Sequence, residues 1–205
     1  MSPGPATATI AGMTFEVVRA DDPRCAVLEA AGYTVVGESW AARLRDPAPA
    51  LLDHAVRRAV AAGVIVRELG PEYAVALHEL ETANERDYPY TPATHRVVGT
   101  VEVVRGLWSA GRVFGALDSD RLVGATHIRP DGETGFTSVL DGYRGRGIGQ
   151  AVKAASILAL LADGVRVFGT GGAALNGASL GANLALGYVV EERWRSYAPP
   201  VASTG

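Results

Sequence analysis

The stretch Val139-Leu-Asp-Gly-Tyr-Arg-Gly-Arg-Gly-Ile-Gly-Gln-Ala151 carries most of the information in this chain of 205 residues. A β-rich apolar run ends at Leu140, a short turn follows, and arginine alternates with glycine before an alanine-rich helix begins. The first amides of a helix have no partner inside the helix, and the helix dipole places positive charge at the same end. The stretch therefore predicts a binding site for a phosphate or pyrophosphate group.

The composition of the chain is that of a compact domain. Hydrophobic residues make up 48% and charged residues 20%, so we expect a packed core rather than global disorder. The net charge of −3 gives no support to a nucleic-acid partner. The single cysteine, Cys25, excludes an internal disulfide and a cysteine-rich metal site. Because no apolar run could span a bilayer and no secretory signal pattern is visible, we expect a cytoplasmic protein with no membrane partner.

The chain divides into an N-terminal extension and a main domain. Residues 1–12 are rich in small residues and proline and predict a flexible tail, and either Met1 or Met13 is the start. The whole of residues 1–62 reads as an αβ extension that extends the sheet, covers an edge strand or forms a homodimer contact. Residues 63–205 then show the order β, α, α, β, β, β, α, β, α, β. Helices around a mixed, mostly antiparallel sheet place the chain in the α+β class.

A weak internal echo links the two parts of the chain. Residues 28–36 (LEAAGYTVV) resemble residues 184–190 (LALGYVV), and a tryptophan follows each, at Trp40 and Trp194. We interpret this echo as a coincidence between two helix–glycine–strand units. The alternative is that it is a remnant of half a duplicated domain.

Two familiar glycine-rich loops do not fit the central stretch. A dinucleotide-binding fingerprint that starts at Gly145 fails because Gln150 stands where glycine is required. A Walker loop that starts at Gly142 fails because Ile148 stands where lysine is required. The pattern that remains is Arg144-x-x-Gly147-x-Gly149, directly between an antiparallel strand and a helix.

This pattern resembles the acyl-CoA-binding motif R/Q-x-x-G-x-G/A of the GNAT superfamily of N-acetyltransferases. The strand lead-in Val139-x-Asp141-x-Tyr143 and the closing Leu186-Gly187-Tyr188 also resemble that family, and the likeness covers about residues 64–197. The resemblance implies the GNAT fold and direct transfer of an acetyl group from acetyl-CoA to a primary amine of a small molecule, in a ternary complex and without a metal. The alternative is a non-catalytic acyl-CoA-binding or interaction module with the same fold.

The resemblance also implies where acetyl-CoA binds. The amides of residues 145–150 hold the pyrophosphate, and the pantetheine arm pairs with the free edge of the preceding strand, with residues 165–169 across the gap. Lys153, about one turn into the helix, either reaches a phosphate or is solvated. The implied cofactor-binding residues are Thr137, Ser138, Val139, Arg144, Gly145, Arg146, Gly147, Ile148, Gly149, Gln150, Asn176 and Asn183.

The catalytic groups follow less directly from the resemblance. Glu133, which starts the strand before the motif, is the first candidate for the base, and His127 on the neighbouring strand is the second. Each also fits a purely structural role. The usual acid of the family is a tyrosine seven residues after the position of Asn176, but Asn183 stands there and cannot donate a proton in this way. Either solvent or another tyrosine, for which Tyr197 is the candidate, then protonates the thiolate. The alternative is that Asn183 only hydrogen-bonds CoA.

The acceptor is expected near residues 84–96, a segment dense in polar and aromatic residues. Glu85, Asp87 and Tyr88 are the candidates for holding a cationic amine. The alternative is a solvated loop broken by proline. The sequence does not identify the amine.

Overall fold

A computed structural model describes residues 6–10, 13–87, 91–94 and 97–200, with side chains from residue 14 onward. The nine described strands are β1 Ala6–Ile10, β2 Met13–Arg19, β3 Thr34–Arg45, β4 Ile65–Leu69, β5 Arg112–Asp118, β6 Arg121–Ile128, β7 Thr134–Val139, β8 Val167–Ala173 and β9 Val189–Ala198. The seven described helices are α1 Arg24–Ala30, α2 Pro49–Ala61, α3 Ala74–Asn84, α4 Val101–Arg105, α5 Leu107–Ala110, α6 Ile148–Ala162 and α7 Gly177–Ala185. Short 3₁₀ turns lie at Pro71–Tyr73, Glu85–Asp87 and Asp141–Tyr143.

The strands form two antiparallel sheets that meet at one point. One sheet has the order β1-β2-β9-β3-β8 and the other the order β4-β5-β6-β7. They join through a parallel bridge between Glu133 and Gly169, where the Gly169 amide also donates to the Gly132 carbonyl at 3.1 Å. Beyond this bridge β7 and β8 part, which leaves a gap between the sheets. The predicted α+β class, with a mixed and mostly antiparallel sheet, is confirmed.

The order of elements from β4 onward is the predicted one except that three helices, not two, lie between β4 and β5, and β8 lies further along the chain than expected. Residues 165–169 were expected to face the gap, but Val165 lies in the turn that follows α6, where its amide donates to the Leu160 carbonyl. The strand runs over Val167–Ala173 instead, and all of it pairs with β3, from Val167 opposite Arg45 to Ala173 opposite Ser39. Its glycine-rich second half has low intrinsic strand propensity, so only this pairing reveals it.

The N-terminal extension is built into the sheet of the main domain. Residues 6–10, expected as part of a flexible tail, form β1, with Ala6 opposite Val17 and Ile10 opposite Met13. Alternating alanine and threonine followed by isoleucine suits a strand once a partner is present. Strand β3 lies between β8 and β9, so the extension supplies a central strand of the five-stranded sheet.

The two units of the sequence echo are related by an internal structural repeat, which supports the alternative of half a duplicated domain. A two-fold rotation that places β2–α1–β3 on β8–α7–β9 exchanges β2 with β8 and β3 with β9. This rotation maps the strand order β2-β9-β3-β8 onto itself. The register follows this two-fold: Thr34, the first residue of β3, pairs with Ala198, and Val189, the first residue of β9, pairs with Arg43. Ser39 and Trp194 pair at the centre.

Helix α6 is held between the four-stranded sheet and α2. Its Ile148, Ala151 and Val152 pack with Ala59 of α2 and Val123 of β6. Helix α3 covers the opposite face of the sheet. Burying a side chain such as Val152 contributes about 1.5–3 kcal/mol, so the start of α6 is fixed firmly at the end of β7. In the described part of the chain no helix has the length and apolarity to cross a membrane.

Candidate functional site

The turn that leads into α6 presents free amides. Gly145 has a φ of 75° and Gly147, the N-cap of α6, a φ of 79°, a conformation that side chains other than glycine rarely adopt. No side chain caps this end of the helix. The first-turn amides of α6 are thus open to an anion, as the sequence predicts.

A cavity of about 460 Å³ opens in front of this turn and extends along β7 towards α7. Residues of β7, the turn, α6 and α7 form its walls, joined by Arg58 and Asn84 from outside the motif. Of the twelve predicted cofactor-binding residues, all but Arg146 line it: Thr137, Ser138, Val139, Arg144, Gly145, Gly147, Ile148, Gly149, Gln150, Asn176 and Asn183. Arg146 is exposed, and its guanidinium lies over the Tyr143 ring at 5.1 Å from the centroid.

The Arg144 side chain fastens the turn to α3. Its Nη2 donates to Asn84 Oδ1 at 2.8 Å and to Asp87 Oδ2 at 2.6 Å, and its Nε donates to the Val139 carbonyl at 3.1 Å. Asn84 Nδ2 in turn donates to Ser138 Oγ at 2.7 Å. The guanidinium was expected to add charge for the pyrophosphate, but in this arrangement its donors hold the wall of the cavity together. Asn84 was expected only as the first residue of the acceptor segment, and its contact with Arg144 was not predicted.

Arg58 brings a positive charge to the turn from the N-terminal extension. It lies on α2, lines the cavity, and has its Nη2 3.9 Å from the place where a Cβ on Gly147 would stand. This residue was missed because residues 1–62 lie outside the family resemblance. Its proximity depends on the packing of α2 against α6, which no local motif encodes.

Lys153 is buried in the wall of the cavity rather than solvated or near the turn. The residue is 4% exposed, and its Nζ donates to Thr170 Oγ1 at 2.9 Å and to Asn183 Oδ1. The ammonium also lies over the Tyr188 ring, 5.2 Å from the centroid. Asn183 is oriented by its own Nδ2, which donates to the Ser179 carbonyl at 2.8 Å. Burial lowers the pKa of Lys153 to about 7.

Glu133 lies where the two sheets meet and forms an ion pair with Arg43 of β3. A Cβ on Gly169 would overlap both charged groups, so glycine is needed there. Nearby, burial raises the pKa of the Tyr188 hydroxyl well above its usual range. Glu133 is outside the residues that line the cavity. A catalytic role for this carboxylate, which would have to act from the closed end of the gap, remains a prediction.

The structure does not bring His127 or Tyr197 to the cavity. His127 is buried on β6 with its ring stacked on Phe136 at 6.2 Å between centroids. Tyr197 is buried in a separate cluster with Val18 and Cys25, and its hydroxyl donates to Glu29 Oε1 at 2.9 Å. Burial raises the pKa of Tyr197 to about 12. Tyr197 is therefore outside the residues that line the cavity, and its role as proton donor stays a prediction.

The three residues expected to hold the acceptor do not lie together at the cavity. Asp87 lines the cavity but pairs with Arg144. Glu85 does not line it, and its Oε1 accepts a hydrogen bond from the Val98 amide at 3.3 Å. Tyr88 lies outside the described residues. Where the structure is described, no cluster of three or more His, Cys, Asp or Glu side chains could hold a metal ion.

Solved structures with the same fold include GNAT proteins. A GCN5-related N-acetyltransferase from Sphaerobacter thermophilus matches 91% of this chain with a TM-score of 0.67 and 18% identity. A tandem GNAT protein from the clavulanic acid biosynthesis pathway matches 94% with a TM-score of 0.58 and 22% identity. This chain spans 60% of the first protein and 62% of the second. No family sequence model and no curated protein sequence matches it. The chain therefore has the GNAT fold, as its sequence predicts.

Proposed function

We propose that this protein transfers an acetyl group from acetyl-CoA to a primary amine of a small molecule, directly and in a ternary complex. The observation that carries the proposal is the uncapped start of α6 at the mouth of a cavity that extends along β7. The cavity volume of about 460 Å³ lies within the range of small-molecule sites. The GNAT proteins with this fold support the same class of reaction.

The start of α6 would hold the pyrophosphate. The amides of residues 148–150 are the first of the helix, and the helix dipole adds partial positive charge there. Arg58 would supply the full positive charge that the Arg144 side chain, tied to Asn84 and Asp87, does not direct at the phosphates.

The free edge of β7 would hold the pantetheine arm. The Leu140 amide donates to the Val123 carbonyl of β6, and amides alternate in direction along a strand. The amides of Thr137 and Val139 therefore point away from β6, towards the gap. An extended chain with its own amides, such as pantetheine, can add to this edge as a further strand. The Val139 amide would then be placed to polarise the thioester carbonyl.

The acceptor amine would enter beside Asp87, at the side of the cavity formed by the end of α3. Its nitrogen must be uncharged to attack the carbonyl carbon. A carboxylate at the entrance favours the approach of a cationic amine from solution. The amine loses its proton before attack.

Turnover of acetyl-CoA with a panel of primary amines, followed by release of free thiol, tests this proposal. The panel should contain aminoglycosides, polyamines, amino acids and N-terminal peptides. We expect at least one amine to raise thiol release well above the rate in water, with a matching acetylated product by mass spectrometry. Thiol release that no amine accelerates would contradict the proposal.

A non-catalytic acyl-CoA-binding module is the second candidate. It is favoured by Asn183 in place of a tyrosine and by the ion pair that engages Glu133. Saturable binding of acetyl-CoA with no acetylated product from any amine would select this candidate over the enzyme.

A further inference from the structure

One ionisable side chain lies on the four elements that enclose the gap. Strands β7 (TGFTSV) and β8 (VFGTGGA) and helix α7 (GASLGANLA) carry none, and α6 (IGQAVKAASILALLA) carries only Lys153. Arginine and aspartate occur at the mouth of the cavity, outside these elements. Apart from Glu133 at the closed end of the gap, which pairs with Arg43, the groups that could exchange a proton with a ligand there are Lys153, hydroxyls and water.

Lys153 is held with its ammonium at the cavity wall. An ammonium group has three N–H donors, and Thr170 and Asn183 accept from two of them. Within the described residues no protein acceptor for the third donor and no ion pair with a carboxylate is found. The Tyr188 ring lies against the ammonium from β9. The third N–H is thus free to reach a group bound in the cavity.

Burying the charged Lys153 ammonium costs free energy. Burying a charge without a partner of opposite charge is expensive, and neutral hydrogen-bond acceptors offset only part of the cost. A ligand that acquires negative charge inside the gap would complete the site. In the proposed reaction, the sulfur of CoA acquires negative charge when the acetyl group leaves.

We propose that the Lys153 ammonium stabilises the departing CoA thiolate and donates its proton to the sulfur, which makes Lys153 a catalytic residue. The proposal rests on the proposed acetyl transfer. Helix α7 carries Asn183 at the position where the related family carries a tyrosine acid. Lys153 of α6 donates to Asn183 and can therefore supply a proton at the same place.

The step balances in atoms and charge. The uncharged acceptor nitrogen bonds to the carbonyl carbon, the carbon–sulfur bond breaks, and its electron pair goes to sulfur. The Lys153 ammonium gives one proton to the sulfur. The surplus proton on the acceptor nitrogen leaves to water, and the Lys153 amine takes a proton back from water. The products are the acetylated amine and the CoA thiol.

The surroundings of Lys153 suit a proton donor near neutral pH. Burial lowers its pKa to about 7, and a general acid works best when its pKa lies close to the working pH. Tyr188 is the titratable group that faces the ammonium, and its pKa is raised, so it stays neutral over this range. Glu133 and Arg43 lie near Tyr188 and pair with each other.

The ionisation of the CoA thiol in its binary complex tests the proposal without an acceptor amine. Thiolate ultraviolet absorbance would be followed against pH for free CoA and for CoA bound to the wild-type protein, Lys153→Met and the control Arg57→Met on the exposed face of α2. A positive charge within about 4–6 Å lowers a pKa by about 1–3. We expect a thiol ionisation constant at least about tenfold larger in the wild-type and control complexes than in free CoA, and no such gain in Lys153→Met.

The wild-type complex alone decides the outcome if Lys153→Met does not fold. Saturable CoA binding with a thiol that ionises as in free CoA would overturn the role of Lys153 and leave the proposed function standing. Failure of CoA to bind at all would overturn the proposed function, and this role with it.

Kinetics with the most active amine of the panel give a second readout. We expect Lys153→Gln to lower kcat about 100-fold or more and to change the KM for acetyl-CoA less than about threefold. A rise in KM with kcat unchanged would show a structural role and overturn the proposal. Acetyl-Lys153 formed during turnover would also overturn it, because the amine would then be a nucleophile rather than a proton donor.

Discussion

Buried Lys153 links folding to pH at the scale of a single residue. Its pKa is about 7 in the folded chain and about 10.4 in an unfolded one. Between these values the unfolded state binds more protons, so the contribution of this group to stability rises with pH. The full cost of burial is present below pH 7 and disappears above about pH 10.4.

We therefore expect the wild-type protein to gain stability relative to Lys153→Met as the pH rises from 7.5 to 9. The gain is at most about 1.4 kcal/mol per pH unit, the limit for one proton. Urea unfolding of both proteins at the two pH values measures it, and taking the difference cancels other titrating groups. A difference in the free energy of unfolding that does not change with pH would contradict burial of a titrating lysine.

Arg58 should contribute to CoA affinity although it lies outside the glycine motif. Loss of a charge-assisted contact of about 1 kcal/mol corresponds to about fivefold weaker binding. We expect Arg58→Ala to weaken CoA binding by this amount and to reduce its dependence on salt. Arg57→Ala, at the neighbouring exposed position, is the matched control. Equal affinities for the two variants would show that α2 does not reach the ligand.

The sequence reveals the residues of the cavity wall that are close to one another along the chain, but not those contributed by distant elements. The turn from Arg144 to Gly149 is visible because backbone conformation and helix start are encoded within a few residues. Lys153 was expected either to reach a phosphate or to be solvated, and its burial against Thr170 of β8 and Asn183 of α7 depends on long-range packing. Arg58 and Asn84 could not be placed, because they reach the cavity from elements distant in sequence.

At the scale of an element, the contributions of the two ends of α6 to CoA binding can be measured separately. Gly147 and Gly164 both have positive φ, 79° and 95°, and lie at opposite ends of this helix. Alanine at either position strains the backbone by about 1–2 kcal/mol. We expect Gly147→Ala and Gly164→Ala to lower stability to a similar extent, but only Gly147→Ala to weaken CoA binding, by about tenfold or more.

Thermal unfolding and CoA titration of these two variants give the comparison. Because Gly164→Ala carries the same kind of strain far from the cavity, it controls for stability. Equal loss of CoA affinity in both variants would mean that the turn before α6 has no special role.

Strand β8 shows why some elements are hidden from the sequence. Its glycine-rich residues 169–172 have low strand propensity, and they form a strand because β3 pairs with them. The same pairing brings Arg43 to Glu133 at the junction of the sheets. Both features depend on a partner from the N-terminal extension, which local patterns cannot reveal.

At the scale of the whole molecule, the extension and the main domain share one sheet and one core. Trp40, Leu44 and Leu52 pack with Phe168 and Leu186 in a single buried cluster. The sequence identified two helix–glycine–strand units that resemble each other, but not the register that pairs them about a two-fold. This register is a long-range property of β3 and β9.

Removal of residues 1–62 should therefore prevent the remainder from folding on its own. It would leave β8 and β9 without β3 and expose the apolar surface of the shared cluster. We expect a fragment of residues 63–205 to show no cooperative thermal unfolding. A fragment that unfolds cooperatively and binds CoA would instead support two separable domains.

Binding of acetyl-CoA to the intact protein, measured by calorimetry, tests most directly whether the start of α6 holds a diphosphate beside the parted strands. We predict a saturable one-site heat that inorganic pyrophosphate reduces by competition and that Gly147→Ala weakens. A titration of the folded protein that shows no saturable heat at millimolar acetyl-CoA, with no competition and no shift in thermal stability, would contradict this assignment.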